Sequence, residues 1–321
     1  IPEPGKTVIS HHDEHRGPSR LEFRSRLLRS IRDYFDSEEV LEVTTATLRL
    51  TGSSETHLEN IQVGRQGYLQ TSPEYAMKCL LAEHRLSIFQ ICPAYRGGEI
   101  GRRHRVEFQM LEWYRCDHSL AELMDDLQAM LNYVSKQMGK YSIQPITRIN
   151  DRYSYRELFE KYLEVNPHTL GAEGLAGLVA PGITAHLDER STLGDYLDAV
   201  FSDAIEPQLL APTIVYDFPA CQAALAETKQ LPTGDLVSDR FELYVGGVEI
   251  ANAYQELCDG QELTRRFAEN NKQRQLIGKP IIEDDTELLA VIDDLPRCAG
   301  VALGIDRLTM ALRGLEDIAG V

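Results

Sequence analysis

The sequence predicts an α+β fold in which an antiparallel β-sheet is flanked by helices. Strand-like segments come in pairs joined by short turns, which favours hairpins over a wound parallel sheet. A chain of 321 residues, 43% hydrophobic and 26% charged, can enclose a large core. The sequence has no run of eighteen apolar residues, so we expect no membrane span.

Cysteine spacing and net charge argue against several classes of protein. The six cysteines form no CxxC pair, which argues against a zinc site or a disulfide scaffold and predicts reduced thiols in the cytoplasm. The net charge is −17, from 33 Lys and Arg against 50 Asp and Glu. A nucleic-acid-binding protein usually has a basic face. None is evident, so tRNA is not expected as a partner.

The chain divides into a short tail and one domain. Residues 1–18 contain Pro, Gly and the cluster His11-His12-Asp13-Glu14-His15. This cluster could bind a metal, but we interpret the segment as a polar N-terminal tail. Residues 19–321 are expected to form the single domain.

The first half of that domain begins with a helix. Ser19 and Glu22 form a capping box. The apolar residues that follow recur at helical spacing and predict a helix to about residue 35: Phe23, Leu27, Ile31 and Phe35. A short strand is expected at 40–43, and two strands within 61–71. Ser72-Pro73 predicts the start of a helix that ends near His84.

The remaining elements follow from the same patterns. We expect, in order, strands at 88–95 and 106–115, a mostly helical and chemically quiet stretch at 117–205, strands at 214–218 and 241–256, helices from about Gln261 and Asp285, and a final strand that turns at Gly304 into a helix.

The stretch from Phe89 to Arg115 suits a polyphosphate and an amine. Its loop carries several cations at close range, as polyphosphate binding requires: Arg96, Arg102, Arg103, His104 and Arg105. The strand that follows places alternate residues on one face: Phe108, Met110, Glu112 and Tyr114. An aromatic ring, a carboxylate and a phenol there could hold a base and an amine. The alternative is a half-buried strand with one unusual Glu.

The stretch from Phe241 to Glu256 is predicted to form a hairpin with a turn at Gly246-Gly247. This turn places Tyr244 opposite Glu249 and Glu242 opposite Ala251. Glu242 and Glu249 are then diagonal neighbours, about 7–8 Å apart, and could converge on Mg²⁺.

Three further residues of this hairpin alternate onto the opposite face: Asn252, Tyr254 and Glu256. They could meet the same ligand only if a bulge or a strong twist lies near Ile250. The alternative interpretation is a solvated acidic hairpin.

The stretch from Ala299 to Arg313 joins a strand of small residues to a helix that bears Arg307. Small residues let a ligand approach the backbone closely, and an Arg at a helix start can stack on a base and touch phosphate. The alternative is a tight strand–helix packing joint.

These stretches resemble motifs 2 and 3 of the class II aminoacyl-tRNA synthetases of the lysyl kind. TSPEYAMK, the Arg96 loop ending in EFQMLEWYR, FELYVGGVEIANAYQEL and GVALGIDRL occur in the same order, and the resemblance covers about residues 19–318. SPEY, MLEWYR and GVALG most resemble the elongation factor P–(R)-β-lysine ligase family. The resemblance implies a class II catalytic core at 19–321, without an anticodon-binding domain, and a homodimer.

The resemblance also implies an activity. An AMP-forming ligase of this family uses ATP and Mg²⁺ to activate (R)-β-lysine or lysine and transfers it to a lysine of elongation factor P. Catalysis is then assigned to Arg96, at the α-phosphate and the substrate carboxylate, and to Arg307.

The other roles implied by the resemblance fall into three sets. Nucleotide contacts are assigned to Arg102, Arg103 and His104 at the outer phosphates and to Phe108 with Arg307 around adenine. Mg²⁺ is assigned to Glu242 and Glu249. The amino acid is assigned to Glu74, Glu112, Tyr114, Asn252, Tyr254 and Glu256. Ala302 stands where lysyl synthetases have Gly and the β-lysine ligases have Ala.

The sequence departs from the family pattern at three points. Ala46 replaces the motif 1 proline. Gly98 replaces the first Glu of RNEE, which helps to read adenine, and Glu99 is a possible substitute. The segment 104–108 reads HRVEF where the family has HNPEF. Two alternatives therefore stay open: a ligase with another acceptor, such as a free amino acid, another protein or a tRNA, and an inactive regulatory paralogue.

Overall fold

The computed structural model describes residues 19–178 and 187–321. The predicted tail, with its histidine cluster, lies outside these ranges. The helices of the described residues are α1 (Arg20–Ser37), α2 (Glu74–His84), α3 (Leu120–Met138), α4 (Tyr155–Leu163), α5 (Ala172–Ala176), α6 (Leu193–Val200), α7 (Gly260–Leu276), α8 (Thr286–Val291) and α9 (Ile305–Arg313).

The main sheet contains β1 (Leu41–Glu42), β5 (Ile88–Tyr95), β6 (Glu107–Cys116), β7 (Asp151–Ser154), β8 (Thr213–Pro219), β9 (Thr228–Gln230), β10 (Leu236–Tyr244), β11 (Glu249–Gln255) and β12 (Cys298–Gly304). Its strands lie in the order β1-β5-β6-β12-β11-β10-β8-β7, with β9 paired to β10. A small second sheet contains β2 (Leu48–Arg49), β3 (Ile61–Gln62) and β4 (Tyr68–Leu69).

The predicted antiparallel sheet is confirmed in the interior, where β5, β6, β12, β11, β10 and β8 are all antiparallel to their neighbours. Both edges differ, because β1 pairs parallel to β5 and β7 pairs parallel to β8. Strand β7 was not predicted, because it lies in a stretch whose pattern is mainly helical. Its four residues are too few for periodicity to reveal a strand.

The predicted helix starts agree closely with the structure. Ser19 caps α1 through the predicted reciprocal capping box with Glu22, which satisfies backbone N–H groups that have no partner in the helix. Helix α2 begins one residue later than predicted: Glu74 is its first residue and Pro73 occupies the capping position. The Ser72 hydroxyl accepts a hydrogen bond from the Glu74 amide at 3.2 Å.

The two faces of the sheet are covered differently. On one face α1, α3 and α9 bury a continuous apolar layer that includes Leu111, Trp113 and Val301. On the other, α2, α7 and α8 pack around Tyr114 at one end, while α4 and α6 pack beside β8 at the other. A cavity lies between these two groups, above the central strands.

None of the helices in the described part of the chain combines the length and the apolar composition that crossing a bilayer requires.

Candidate active site

A cavity of about 290 Å³ opens above β6, β12, β11 and β10. The start of α2, the loop before β6 and the start of α9 complete its wall. The following predicted site residues line it: Glu74, Arg96, Glu99, Arg103, His104, Phe108, Glu242, Glu249, Asn252, Tyr254, Ala302 and Arg307. Residues from four separated stretches of sequence therefore meet in one cavity.

Strand β12 forms the centre of the cavity floor because its alternate residues are small. Gly300, Ala302 and Gly304 lie opposite Tyr114, Glu112 and Met110 of β6. Their neighbours Ala299, Val301 and Leu303 enter the apolar layer on the other face. Gly300 has no room for a side chain: an added Cβ would lie 2.4 Å from the Tyr114 ring and 2.5 Å from Oε1 of Glu256.

A bulge in β11 brings the hairpin's polar residues onto one face. Gly246 and Gly247 form the predicted two-residue turn, both with positive φ, and Tyr244 lies opposite Glu249 as predicted. The predicted pairing of Glu242 with Ala251 is wrong, because Glu242 pairs with Asn252.

The register shifts between Leu243 and Tyr244, so β11 contains one extra residue at Ile250. This is the bulge that the sequence required if Glu249 were to share a face with Asn252 and Tyr254. Because of it, Glu242, Glu249, Asn252 and Tyr254 all line the cavity.

At the open end, Arg307 is held by a network of hydrogen bonds. Its Nη1 donates to the Glu249 carbonyl at 2.9 Å, and its Nη2 lies 2.7 Å from Nε2 of His104. Burial, with a contribution from Arg307, lowers the pKa of His104, which favours the neutral imidazole that can accept this bond. Arg103 reaches the same area and donates to the Gly247 carbonyl at 2.7 Å.

Arg96 lies beside Phe108 on the cavity wall. Its guanidinium carbon is 5.3 Å from the centroid of the Phe108 ring, within cation–π range. Its Nη1 is 3.8 Å from Oε1 of Glu99, and its Nε donates to the Thr71 carbonyl at 3.4 Å. The guanidinium therefore keeps most of its hydrogen-bonding capacity for a ligand.

Two other arginines of the same loop are engaged by partners outside it. Arg102 pairs with Glu316 at 3.1 Å, and its side chain is 70% exposed. Arg105 lines the cavity but donates to the Ile318 carbonyl at 2.5 Å. The structure therefore does not bring Arg102, predicted at the outer phosphates, to the cavity wall.

The glycine pair at 97–98 is explained by a neighbouring carboxylate. The Gly97 amide donates to the Glu59 carbonyl at 2.7 Å. Gly98 has φ +73°, and a Cβ there would lie 2.8 Å from Oε2 of Glu59. A Glu at 98, as in the family pattern, would be strained because of this positive φ, and the flexible end of the Glu59 side chain would have to shift.

Glu242 and Glu249 are the two carboxylates predicted for Mg²⁺, and both line the cavity. Glu242 is buried, paired with Arg240 and bonded to the Tyr244 hydroxyl. Burial, opposed by Arg240 and assisted by Glu249, raises the pKa of Glu242 to about 7. Glu249 is more exposed and lies 3.3 Å from Nη1 of Arg307.

The closed end of the cavity is acidic. Glu74 lines the cavity, whereas Glu112, Tyr114 and Glu256 lie buried beside it. The Tyr114 hydroxyl donates to Oε1 of Glu112 at 2.5 Å. Nζ of Lys78 lies between the other two carboxylates, 2.7 Å from Glu74 and 2.6 Å from Glu256.

Burial and nearby charges shift the pKa values at this end. Burial, and secondarily Glu74, raises the pKa of Glu112. Burial also raises the pKa of Glu256 to about 7, although Lys78 opposes this effect. The amine-binding residues predicted from the sequence are thus assembled, but one ammonium of the protein already lies among them.

Sequence reasoning missed three charged residues here. Lys78 lies in the TSPEYAMK stretch but received no role, Glu55 lines the cavity, and Arg240 pairs with Glu242. Burial, with a contribution from Glu74, raises the pKa of Glu55 although Arg96 opposes it. Only the helical i,i+4 spacing of Glu74 and Lys78 was a signal visible in the sequence.

Comparison with known proteins gives a consistent result. The family described as "tRNA synthetases class II (D, K and N)" matches residues 9–321. A protein of Mannheimia succiniciproducens named "Elongation factor P--(R)-beta-lysine ligase" is 38% identical over 313 residues, which are 93% of this chain and 92% of the relative. A protein of the same name from Salmonella paratyphi B is 37% identical over 315 residues, with the same coverage of both chains.

Proposed function

The chain belongs to the class II tRNA synthetase family of the D, K and N type, and on that basis we propose that it is an ATP-dependent, AMP-forming aminoacyl ligase. The observation that carries the proposal is the polarity of the cavity. Arginines and a metal-type carboxylate pair lie at one end and buried carboxylates at the other. This arrangement suits a triphosphate that meets the carboxylate of a diamino acid.

ATP, which the reaction consumes, would bind at the arginine end. Arg96 would contact the α-phosphate and the substrate carboxylate, while Arg103 and His104 would contact the outer phosphates. Phe108 and Arg307, both on the cavity wall, would enclose the adenine. We assign Arg102 a role only if it leaves Glu316, its partner in the structure.

Mg²⁺ is implied by the family, and the donor set fits it. Mg²⁺ is usually held by one or two carboxylates together with substrate phosphates, and Glu242 and Glu249 offer such a pair on the cavity wall. The described ranges contain no group of three or more His, Cys, Asp or Glu side chains that would hold a metal without a substrate. The ion would neutralise charge on the phosphates of bound ATP.

The amino acid would bind with its amines toward the closed end. Glu74, Asn252 and Tyr254 line that part of the cavity, and Glu112, Tyr114 and Glu256 lie beside it. Ala302 lies opposite both Glu112 and Asn252 on the floor. Its methyl group would limit the depth of the pocket, which favours (R)-β-lysine over lysine in this proposal.

The first reaction needs no general base, because the attacking carboxylate is already ionised. One carboxylate oxygen attacks the α-phosphorus of ATP, the bond from that phosphorus to the β-bridging oxygen breaks, and pyrophosphate leaves. Arg96 and Arg307 would hold the reactants in line and neutralise charge in the transition state.

The second reaction is acyl transfer. The neutral amine of an acceptor attacks the acyl carbon, the bond to the AMP oxygen breaks, and the nitrogen releases one proton to water. The relatives are named for elongation factor P and (R)-β-lysine. We therefore propose a lysine of elongation factor P as the acceptor, with residues 19–321 acting as one catalytic domain in a cytoplasmic homodimer. Light scattering of the purified protein tests the dimer.

Amino-acid-dependent ATP–pyrophosphate exchange, without tRNA, tests the activation step. The substrates are (R)-β-lysine, L-lysine and a panel of other amino acids. We expect exchange with a preference for (R)-β-lysine. Exchange with another amino acid would keep the mechanism and change the substrate. Folded protein that binds ATP but gives no exchange would favour the inactive regulatory paralogue.

Mass spectrometry of acceptors tests the transfer step. Elongation factor P incubated with the enzyme, ATP and the preferred amino acid should gain one aminoacyl mass on one lysine. A matched incubation with a lysine-to-arginine variant of that acceptor position should show no gain. Modification of a free amino acid, a different protein or tRNA instead would establish another acceptor.

A further inference from the structure

Lys78 is a buried ammonium group at the closed end of the cavity. Its side chain is 1% exposed, and its Nζ lies 2.7 Å from Oε1 of Glu74 and 2.6 Å from Oε2 of Glu256. Glu74 precedes it by one helical turn in α2, whereas Glu256 directly follows β11. The ammonium therefore joins two of the carboxylates assigned to the substrate amines.

Stability alone is a weak reason for this arrangement. Burying a charged pair costs desolvation energy, and well-packed apolar residues of similar volume often stabilise a protein equally well. Neighbouring positions on α2 are filled in that way, by Met77 and Leu81, both fully buried. A lysine at position 78 thus needs an explanation in the chemistry of the cavity.

The charges at this end do not balance within the protein. Glu74, Glu112 and Glu256 are three carboxylates, and Lys78 is the one ammonium that bridges two of them. In addition, Oε2 of Glu112 is buried and has no hydrogen-bond partner among the described residues. With all three carboxylates ionised, these four side chains carry two net negative charges, which match a substrate with two ammonium groups. Burial opposes this ionisation at Glu112 and Glu256, and an arriving ammonium group favours it.

We propose that Lys78 is a positioning residue that fixes the charge and the geometry of the amine-binding end. It holds Glu74 and Glu256 in place and supplies their counter-charge, so that the cavity selects amino acids with two ammonium groups. Lys78 does not touch the reacting atoms. This inference rests on the proposed function and adds a residue that determines specificity.

The groups around Lys78 support this role. Those that interact with it electrostatically come from α2, β6, β12 and the segment after β11: Glu74, Tyr75, Glu112, Glu256, Cys258 and Cys298. Burial would lower the pKa of Lys78, but Glu256 and Glu74 outweigh it and raise the pKa. The ammonium therefore stays charged throughout the working range of pH.

Removing the ammonium should weaken substrate binding in a defined way. Without Lys78, Glu74 and Glu256 lose their common counter-ion, and the pKa of Glu256, which Lys78 lowers against the effect of burial, rises further. A protonated Glu256 no longer attracts an ammonium group. The KM for the amino acid should rise, and its best value should move to higher pH, while ATP binding at the arginine end is unaffected.

The test uses the Lys78→Met variant of the full chain in ATP–pyrophosphate exchange between pH 6 and 9. We expect the KM for (R)-β-lysine or lysine to rise at least about 30-fold, as for truncation of one partner in a buried charge pair. The KM for ATP should change by less than about 3-fold, since additive effects are expected for separated sites.

The matched control is Lys229→Met. Lys229 also bridges two carboxylates, at 2.9 Å to Asp217 and 2.6 Å to Asp239, but is 42% exposed and is not part of the cavity wall. The Lys229→Met variant should keep both KM values within about 3-fold of wild type. Circular dichroism melting and ATP binding by calorimetry establish that each variant is folded.

Chemical rescue keeps the test decisive if Lys78→Met folds poorly. Lys78→Ala leaves space for propylammonium, which replaces the missing methylenes and the ammonium. Added propylammonium should restore amino-acid activation in Lys78→Ala and should leave the activity of Lys229→Ala unchanged. If Lys78 had a purely structural role, its loss would lower the melting temperature, change both KM values equally, leave the pH profile unshifted and allow no rescue. Equal changes in both KM values, an unshifted pH profile or a failed rescue would each overturn the inference.

The two proposals fail separately. Wild-type protein that gives no exchange with any amino acid overturns the proposed function, and the role of Lys78 with it. Wild-type protein that activates a diamino acid, with a Lys78→Met variant that has an unchanged KM for it, overturns the role of Lys78 alone.

Discussion

The Gly300→Ala variant tests whether the packing at the floor of the cavity requires a residue without a side chain at position 300. The added Cβ would lie 2.4 Å from two ring carbons of Tyr114 and 2.5 Å from Oε1 of Glu256. Contacting carbon atoms normally lie about 3.5–4.0 Å apart. Tyr114 and Glu256 are each 2% exposed, so neither can retreat into solvent. Both must therefore move by about 1 Å within a packed interior.

Two effects of this displacement can be calculated. Overpacking of a core by one methyl group costs about 1–3 kcal/mol of unfolding free energy. For a chain of this length that corresponds to a melting temperature about 1.5–4.5 °C lower, at an unfolding entropy of about 2.1 cal/mol/K per residue. A shift of about 1 Å in substrate-binding groups can also reduce the rate about 100-fold.

The assay is ATP–pyrophosphate exchange together with thermal melting. We expect a strong loss of amino-acid activation with a KM for ATP close to wild type, because the nucleotide end does not contact Gly300. Gly171→Ala is the matched control, since an added Cβ there meets no atom within 4 Å and its φ is −85°. Unchanged amino-acid kinetics in a folded Gly300→Ala variant would refute the assigned positions of Tyr114 and Glu256.

Four further outcomes are expected. The KM for the amino acid should fall as pH rises from about 6 to 8. Burial raises the pKa of Glu256 to about 7, and only the ionised form of this carboxyl attracts an ammonium group. A KM that rises over this range would contradict the prediction. Arg307→Ala should raise the KM for ATP about 10-fold or more in the same assay, and an effect confined to the amino acid would argue against its nucleotide role. Glu249→Gln should raise the Mg²⁺ concentration needed for half-maximal exchange, and an unchanged Mg²⁺ titration would exclude Glu249 as a ligand. Ser19→Ala should lower the unfolding free energy by about 0.5–2 kcal/mol in urea titrations by loss of the cap, whereas no change would mean that the start of α1 is not held by the cap.

Much of the site could be predicted because the information is local. Alternation along β6 and β12 places Glu112, Tyr114, Gly300 and Ala302 on one face, and side-chain direction in a strand depends only on neighbouring residues. The resemblance to the lysyl-type synthetases adds which faces meet a ligand. The family match at residues 9–321 supports this and confirms the α+β fold class.

The failures came from a register shift inside one hairpin and from contacts between distant stretches. The turn at Gly246-Gly247 was predicted, but the pairing of Glu242 was wrong because the extra residue in β11 shifts the register. Arg102 and Arg103 are adjacent in sequence, yet one pairs with Glu316 and the other reaches Gly247. No local pattern distinguishes them, because their partners come from other parts of the chain.

The sequence by itself determined most of the elements, their order, the alternating faces of β6 and the family. These depend on periodicity, capping and turn chemistry, which act over a few residues. The tertiary structure alone decided which charges neutralise each other. Lys78 meets Glu256, and Arg307 meets His104, only after β11, β12 and α9 have packed beside α2 and the arginine loop. Electrostatic energy depends on distance and burial, and both are set by the packing of the whole chain.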